Sequence, residues 1–194
     1  MGDSLAAVLP GPHLYSEELG RSQAAPGELG DRSTRFGGYW RWCRDRPSGG
    51  CSARNEIFQV LDSLDGIDGH LAESRWERMY LDASKGKLRF GPKLDVGLIP
   101  RVPELLEMRL QVAPRHRDPR KRVVLRLYFA EPEAHARLLL ALKFGNKPGG
   151  EDVGGTQDRH INDAYHRLRE GRRNGRSWGI APEGPSEILS RDDC

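Results

Sequence analysis

Three stretches in the second half of the chain alternate apolar and polar residues, and each carries a cation at a polar position. In 106–112, Leu106, Met108, Leu110 and Val112 share one parity, while Glu107, Arg109 and Gln111 share the other. In 123–129, Val123, Leu125, Leu127 and Phe129 alternate with Val124, Arg126 and Tyr128. In 138–144, Leu138, Leu140, Leu142 and Phe144 alternate with Leu139, Ala141 and Lys143. Successive side chains of a strand point to opposite faces, so period two predicts a sheet with one greasy side and one side bearing Arg109, Arg126 and Lys143. Cations on an open sheet face suit an anionic ligand, because guanidinium and ammonium groups make charge-assisted hydrogen bonds to phosphate oxygens.

Other elements must hold that sheet in place. "GGYWRWCRD" predicts a first strand through Tyr39, Trp40 and Trp42. "SARNEIFQVLDSLDG" puts Ile57, Phe58, Leu61 and Leu64 at helical spacing, with Ser52 or Asn55 as cap. "DGHLAESRWERMYLDASKGK" repeats the pattern with Leu71, Ala72, Trp76, Met79 and Tyr80, and Gly86 is placed to stop it. Residues 90–103, punctuated by Pro and Gly, read as loop. The last helix is predicted from "TQDRHINDAYHRLREGRR": Thr156 can cap it, Asp158 suits its first turn, and Ile161, Ala164, Tyr165 and Leu168 form the i, i+3, i+4, i+7 stripe. Arg167, Arg169, Arg172, Arg173 and Arg176 crowd its exit. The expectation is an α+β fold: a small antiparallel sheet of about four strands, its greasy side covered by an N-terminal helical hairpin, with a C-terminal helix after it. Residues 1–35 read as a flexible extension, 36–173 as the domain and 174–194 as a tail.

The bulk numbers agree with one core in 194 residues. Charge is uneven: residues 101–176 hold 17 Lys/Arg against 10 Asp/Glu, whereas residues 1–100 hold 13 against 14. A basic block of this kind points to a polyanion, since cationic side chains displace counterions from phosphates. Its densest part is the loop "APRHRDPRKR", where Arg115, His116, Arg117, Arg120, Lys121 and Arg122 can hold a nucleic-acid backbone. Cys43, Cys51 and Cys194 have no C-x-x-C spacing and no H-E-x-x-H pattern is present, which disfavours a disulfide framework and a zinc site. "GNKPGGEDVGG" lacks the Walker spacing, so no nucleotide cofactor is expected. No run approaches the roughly 18 apolar residues of a membrane span, and the expected location is the cytoplasm.

The ordered pieces resemble the RelE/HigB superfamily of toxin–antitoxin ribonucleases, in particular its phage-derived HigB-like branch. "YWRWCRDRPSGGCSARNEIFQVLDSL" resembles the family's opening strand, turn and helix. "LLEMRL" and "VVLRLYFA" resemble its next two strands, and "ARLLLALKFGNK" followed by "TQDRHINDAYHRLRE" resembles its last strand and closing helix. The resemblance spans roughly residues 39–170. It implies a toxin that enters the ribosomal A site, meets ribosomal RNA, and cuts messenger RNA by letting a ribose 2′-hydroxyl attack the neighbouring phosphate. It also implies a helix-turn-helix antitoxin as partner.

By position, the resemblance makes Arg126 the stabiliser of charge in the transition state, Arg109 a phosphate clamp and Lys143 the basic residue that ends the last strand. His160 stands where relatives carry a late His or Tyr acting on the leaving group. His160 precedes Ile161 and is expected to point away from the core, while Lys147 and Arg159 flank it as RNA contacts. Tyr165, inside the apolar stripe, reads as core. A second reading keeps the basic face and drops the chemistry: a non-catalytic module that docks on RNA or protein.

Overall fold

Alternation and helical periodicity produce the elements where the side chains demand them. The structure, a computed structural model, describes residues 37–44, 52–64, 66–91, 94–112, 123–132, 137–148 and 155–173, with positions 135, 178, 180, 186 and 187. In chain order these form β1 (Tyr39–Trp42), α1 (Ser52–Asp62), α2 (Gly66–Ser84), β2 (Val96–Leu98), β3 (Leu106–Val112), β4 (Val123–Ala130), β5 (Leu138–Pro148) and α3 (Gly155–Arg173). α2 ends where Gly86 takes a φ of 69°, and the Lys87 amide turns back to the Asp82 carbonyl at 2.8 Å. Glycine adopts that left-handed conformation without steric cost.

The sheet has five strands in the order β1-β5-β4-β3-β2. β3, β4 and β5 form the expected antiparallel meander, but β1 joins β5 in parallel, Tyr39 opposite Leu138 and Trp42 opposite Ala141. The sheet is therefore mixed, and the expectation of about four antiparallel strands is corrected on both counts. The extra strand, β2, comes from the stretch read as loop: Val96–Leu98 pairs antiparallel with Leu106–Met108. Three residues interrupted by Gly97 are too few to show a period.

Both faces of the sheet are covered. On one, Trp40, Trp42, Met108, Leu127 and Phe144 meet Ile57 and Leu61 of α1 and Trp76 and Tyr80 of α2. Trp42 and Tyr80 stack with ring centres 5.4 Å apart, and Trp76 meets Phe144 edge to face at 5.0 Å. On the other, Tyr128, Leu138, Leu140 and Leu142 meet Ile161, Ala164 and Leu168 of α3, with Trp178 and Ile180 from the segment read as a tail. The expectation of one open, cation-bearing face is thus corrected: α3 occupies part of it. Burying these large side chains contributes roughly 1.5–3 kcal/mol each.

A β-bulge explains how β5 serves two cores. Tyr128 pairs with Lys143 but Phe129 pairs with Ala141, so Leu142 is the extra residue. Its insertion breaks period two. Phe144, Ala141 and Leu139 fall beneath α1 and α2, whereas Leu138, Leu140 and Leu142 fall beneath α3. Sequence parity had placed Phe144 with the three leucines; the bulge separates them.

Candidate functional site

Register brings the cations together. Arg109 on β3 lies directly opposite Arg126 on β4, and Arg126 is opposite Gly145 on β5, two residues beyond Lys143. Lys143 pairs with Tyr128, so Arg126, Tyr128, Gly145 and Lys143 share the α3-side face. Like charges directly opposite one another on adjacent strands destabilise a sheet. Glu107, two residues before Arg109 and only 5% exposed, relieves part of this cost. Its carboxylate accepts a very short hydrogen bond from Arg126 Nη1, and Oε2 stands 3.9 Å from Arg109 Nε. Glu107 was not among the residues singled out from sequence; its place on the same parity as Arg109 was the signal.

Two glycines make room for these groups. Gly97, paired with Glu107, leaves the space into which the Arg109 guanidinium lies: a Cβ there would come within 1.7 Å of Nη2. Arg109 Nη2 also donates to the Gly91 carbonyl at 3.3 Å. Gly145 does the same for His160, whose ring would sit 2.4 Å from a Cβ. His160 is therefore half-buried over the sheet, tilted against Tyr128 with ring centres 6.4 Å apart. The expectation that it points away into solvent is corrected, because the missing side chain at Gly145 lets α3 press its first turns onto β5. Desolvation lowers the His160 pKa below the ordinary histidine value, and the charge of Lys143 lowers it further. The ring is thus held neutral near pH 7 and can accept a proton. Tyr128, fully buried, has its hydroxyl pushed well above the ordinary phenol range by burial first and by Glu107 next. That hydroxyl lies beside Arg126 and Glu107 without a well-aligned hydrogen bond.

Arg109 and Arg126 line a cavity of about 670 Å³. Arg75 and Arg78 of α2 line it as well, and Asp82 and Asp95 are its acidic members. Arg75 and Arg78 were missed by sequence reading, since nothing in α2 alone says which strand edge its exposed flank will meet.

Lys143 goes elsewhere. Its ammonium donates to Glu56 Oε1 at 2.8 Å and stands 3.6 Å from Asp163. The same Glu56 accepts from Arg167 Nη2 at 2.9 Å and from the Phe144 amide at 2.9 Å, while Arg167 Nη1 donates to the Leu142 carbonyl at 2.6 Å. β1 stops pairing at this level, after the Cys43 amide reaches the Ala141 carbonyl. The Glu56–Arg167 pair takes over the free edge of β5 as a strand would, donor to carbonyl and acceptor to amide. Lys143, read from sequence as a third phosphate-facing cation, is drawn into this clamp by its two carboxylates.

Of the remaining sequence candidates, Lys147 is half-buried on β5 and Arg159 is exposed on α3. Arg115, His116, Arg117, Arg120, Lys121 and Arg122 lie outside the described residues. Among the described residues no three His, Cys, Asp or Glu side chains gather as metal ligands, and no helix is long and apolar enough to cross a membrane. Comparison with protein-family models, curated proteins and solved structures returned no match.

Proposed function

We propose that the chain is an endoribonuclease of the RelE/HigB kind, a toxin that cuts messenger RNA on the ribosome and is restrained by a helix-turn-helix antitoxin. The observation that supports this reading above all is the opposed pair Arg109 and Arg126 on the wall of an arginine-lined cavity. Four arginines against two aspartates on that lining favour an anionic ligand.

In the proposed reaction the ribose 2′-oxygen forms a bond to the adjacent phosphorus and the 5′-oxygen leaves, giving a 2′,3′-cyclic phosphate. Arg126 and Arg109 meet the charge that grows on the phosphoryl oxygens. Neutral His160 takes the proton from the 2′-hydroxyl, and the departing 5′-oxygen takes one from solvent. Glu107 aligns Arg126 for this task, and Lys143 acts at a distance by keeping His160 unprotonated.

A second reading is favoured by one specific observation: Arg126 is already hydrogen-bonded to Glu107. A module that only docks on RNA or protein would use the same cleft without exchanging that bond. Inducible expression of the wild type and of Arg126→Ala, with transcript 5′ ends mapped while translation runs or is blocked, separates the two. The nuclease reading expects growth arrest and new 5′ ends from the wild type, and a loss of roughly 10²–10³-fold in cutting by the variant. Wild-type expression that yields no new ends selects the docking module. Ends that persist without translation exclude the ribosome-dependent form.

A further inference from the structure

The cavity is also lined by the exposed flank of α2. Arg75, Arg78, Met79 and Asp82 stand at i, i+3, i+4 and i+7, so they form one strip beside the face that packs on the sheet. Arg75 donates from Nη1 to the Gln111 carbonyl at 3.4 Å, which ties this strip to the edge of β3. Gln111 belongs to the part of β3 that β2 leaves unpaired. Arg78 meets Asp82 at a loose 3.9 Å and is 85% exposed, so its charge is largely uncommitted. Four guanidiniums drawn from a helix and two strands around one cavity are more than one phosphate engages, and they suit successive phosphates of a strand.

We propose that Arg75 and Arg78 bind a second phosphate of the same RNA strand, next to the one held by Arg109 and Arg126. This rests on the ribonuclease reading for the first phosphate and deepens it: α2 forms part of the track on which the RNA strand lies. Both positions are on an exposed helix flank, where glutamine keeps the helix propensity of arginine.

The test is fluorescence anisotropy of a labelled short 2′-O-methyl RNA, which cannot be cut because its 2′-oxygen is blocked, titrated over a salt series. Arg75→Gln/Arg78→Gln is compared with the wild type, with Arg75→Lys/Arg78→Lys, and with Lys85→Gln/Lys87→Gln, which removes two exposed charges off the cavity. Each phosphate contact to a single strand contributes about 0.7 to the slope of log affinity against log salt, so the glutamine pair is expected to lower it by about 0.7–1.4. The lysine pair retains most of the slope, and the Lys85/Lys87 variant changes it less. A glutamine pair with the wild-type slope, or an equal loss from the Lys85/Lys87 variant, overturns the proposal. Wild-type protein that shows the arginine-dependent slope yet yields no new 5′ ends on messenger RNA in translating ribosomes overturns the ribonuclease reading and leaves the second phosphate site standing. No binding by the wild type overturns both.

Discussion

The α3-side face of the sheet carries two groups of cations that differ in how their charge is met. At the free edge of β5, Lys143 and Arg167 share Glu56, with Asp163 close by, and the carboxylate and guanidinium also satisfy the Phe144 amide and the Leu142 carbonyl. At the β3–β4 end, Arg109 and Arg126 share Glu107 and open onto a cavity with two further arginines. Both groups are largely buried; the first caps a backbone edge, whereas the second lines a cavity that two arginines of α2 also line. Residue type does not say whether a cation caps a strand edge or lines a cavity; the groups that folding brings beside it do.

The comparison can be broken most forcefully at Glu56. Glu56→Ala leaves Lys143, Arg167 and the Phe144 amide without their shared acceptor in a largely desolvated place, and removing one partner of such a pair costs about 3–5 kcal/mol. Urea unfolding is expected to show the unfolding free energy falling by that amount, as a lower midpoint at unchanged slope; a midpoint near the wild type would mean that the clamp is decorative. For the second group the corresponding blow is Arg126→Ala: under the proposed nuclease reading it is expected to abolish transcript cutting while ribosome binding persists.

Gly145→Ala sharpens the boundary between the two groups. A Cβ at 2.4 Å from the His160 ring forces that ring off the sheet, at about 1–3 kcal/mol for overpacking. NMR titration should then find the His160 pKa back near the ordinary value of about 6.5; a pKa still lowered would show that Lys143, not burial over Gly145, governs it. The wild-type pH dependence follows from the same shift. Because the folded pKa is depressed, the unfolded chain binds the proton more readily. The contribution is fully present above the unfolded value of about 6.5 and is lost as pH falls below it through the folded pKa. Thermal melts between pH 8 and pH 5 should show this loss in the wild type and less of it in His160→Gln.

The smallest effect is expected at Arg101→Gln. Arg101 meets Asp158 at 2.8 Å, but the two side chains are 44% and 58% exposed. An exposed pair of this kind contributes about 0.2–1 kcal/mol. A larger shift in the same urea experiment would place it with the Glu56 group.

Much of the arrangement was legible because it is local. The alternation in 106–112 and 123–129 gave β3 and β4 and correctly put Arg109 and Arg126 on one face; Ile161, Ala164 and Leu168 gave the buried stripe of α3. Trp40 and Trp42 gave β1. What stayed hidden depends on neighbours distant in sequence. β2 is too short to carry a period and exists because β3 offers it an edge. The bulge at Leu142 is invisible in a run of apolar residues that reads equally well in either phase.

The sequence by itself determined the longer strands and the helices, and which of their positions carry charge, because propensity and periodicity act within a few residues. Only the tertiary structure decided what each charge is for. Lys143 and Arg126 both sit at polar positions of alternating strands, and nothing local distinguishes them. Lys143 met a glutamate arriving from α1 at a strand edge, whereas Arg126 met a glutamate from the next strand and lines a cavity with three other arginines. Electrostatic energy depends on distance in space, and folding alone sets those distances.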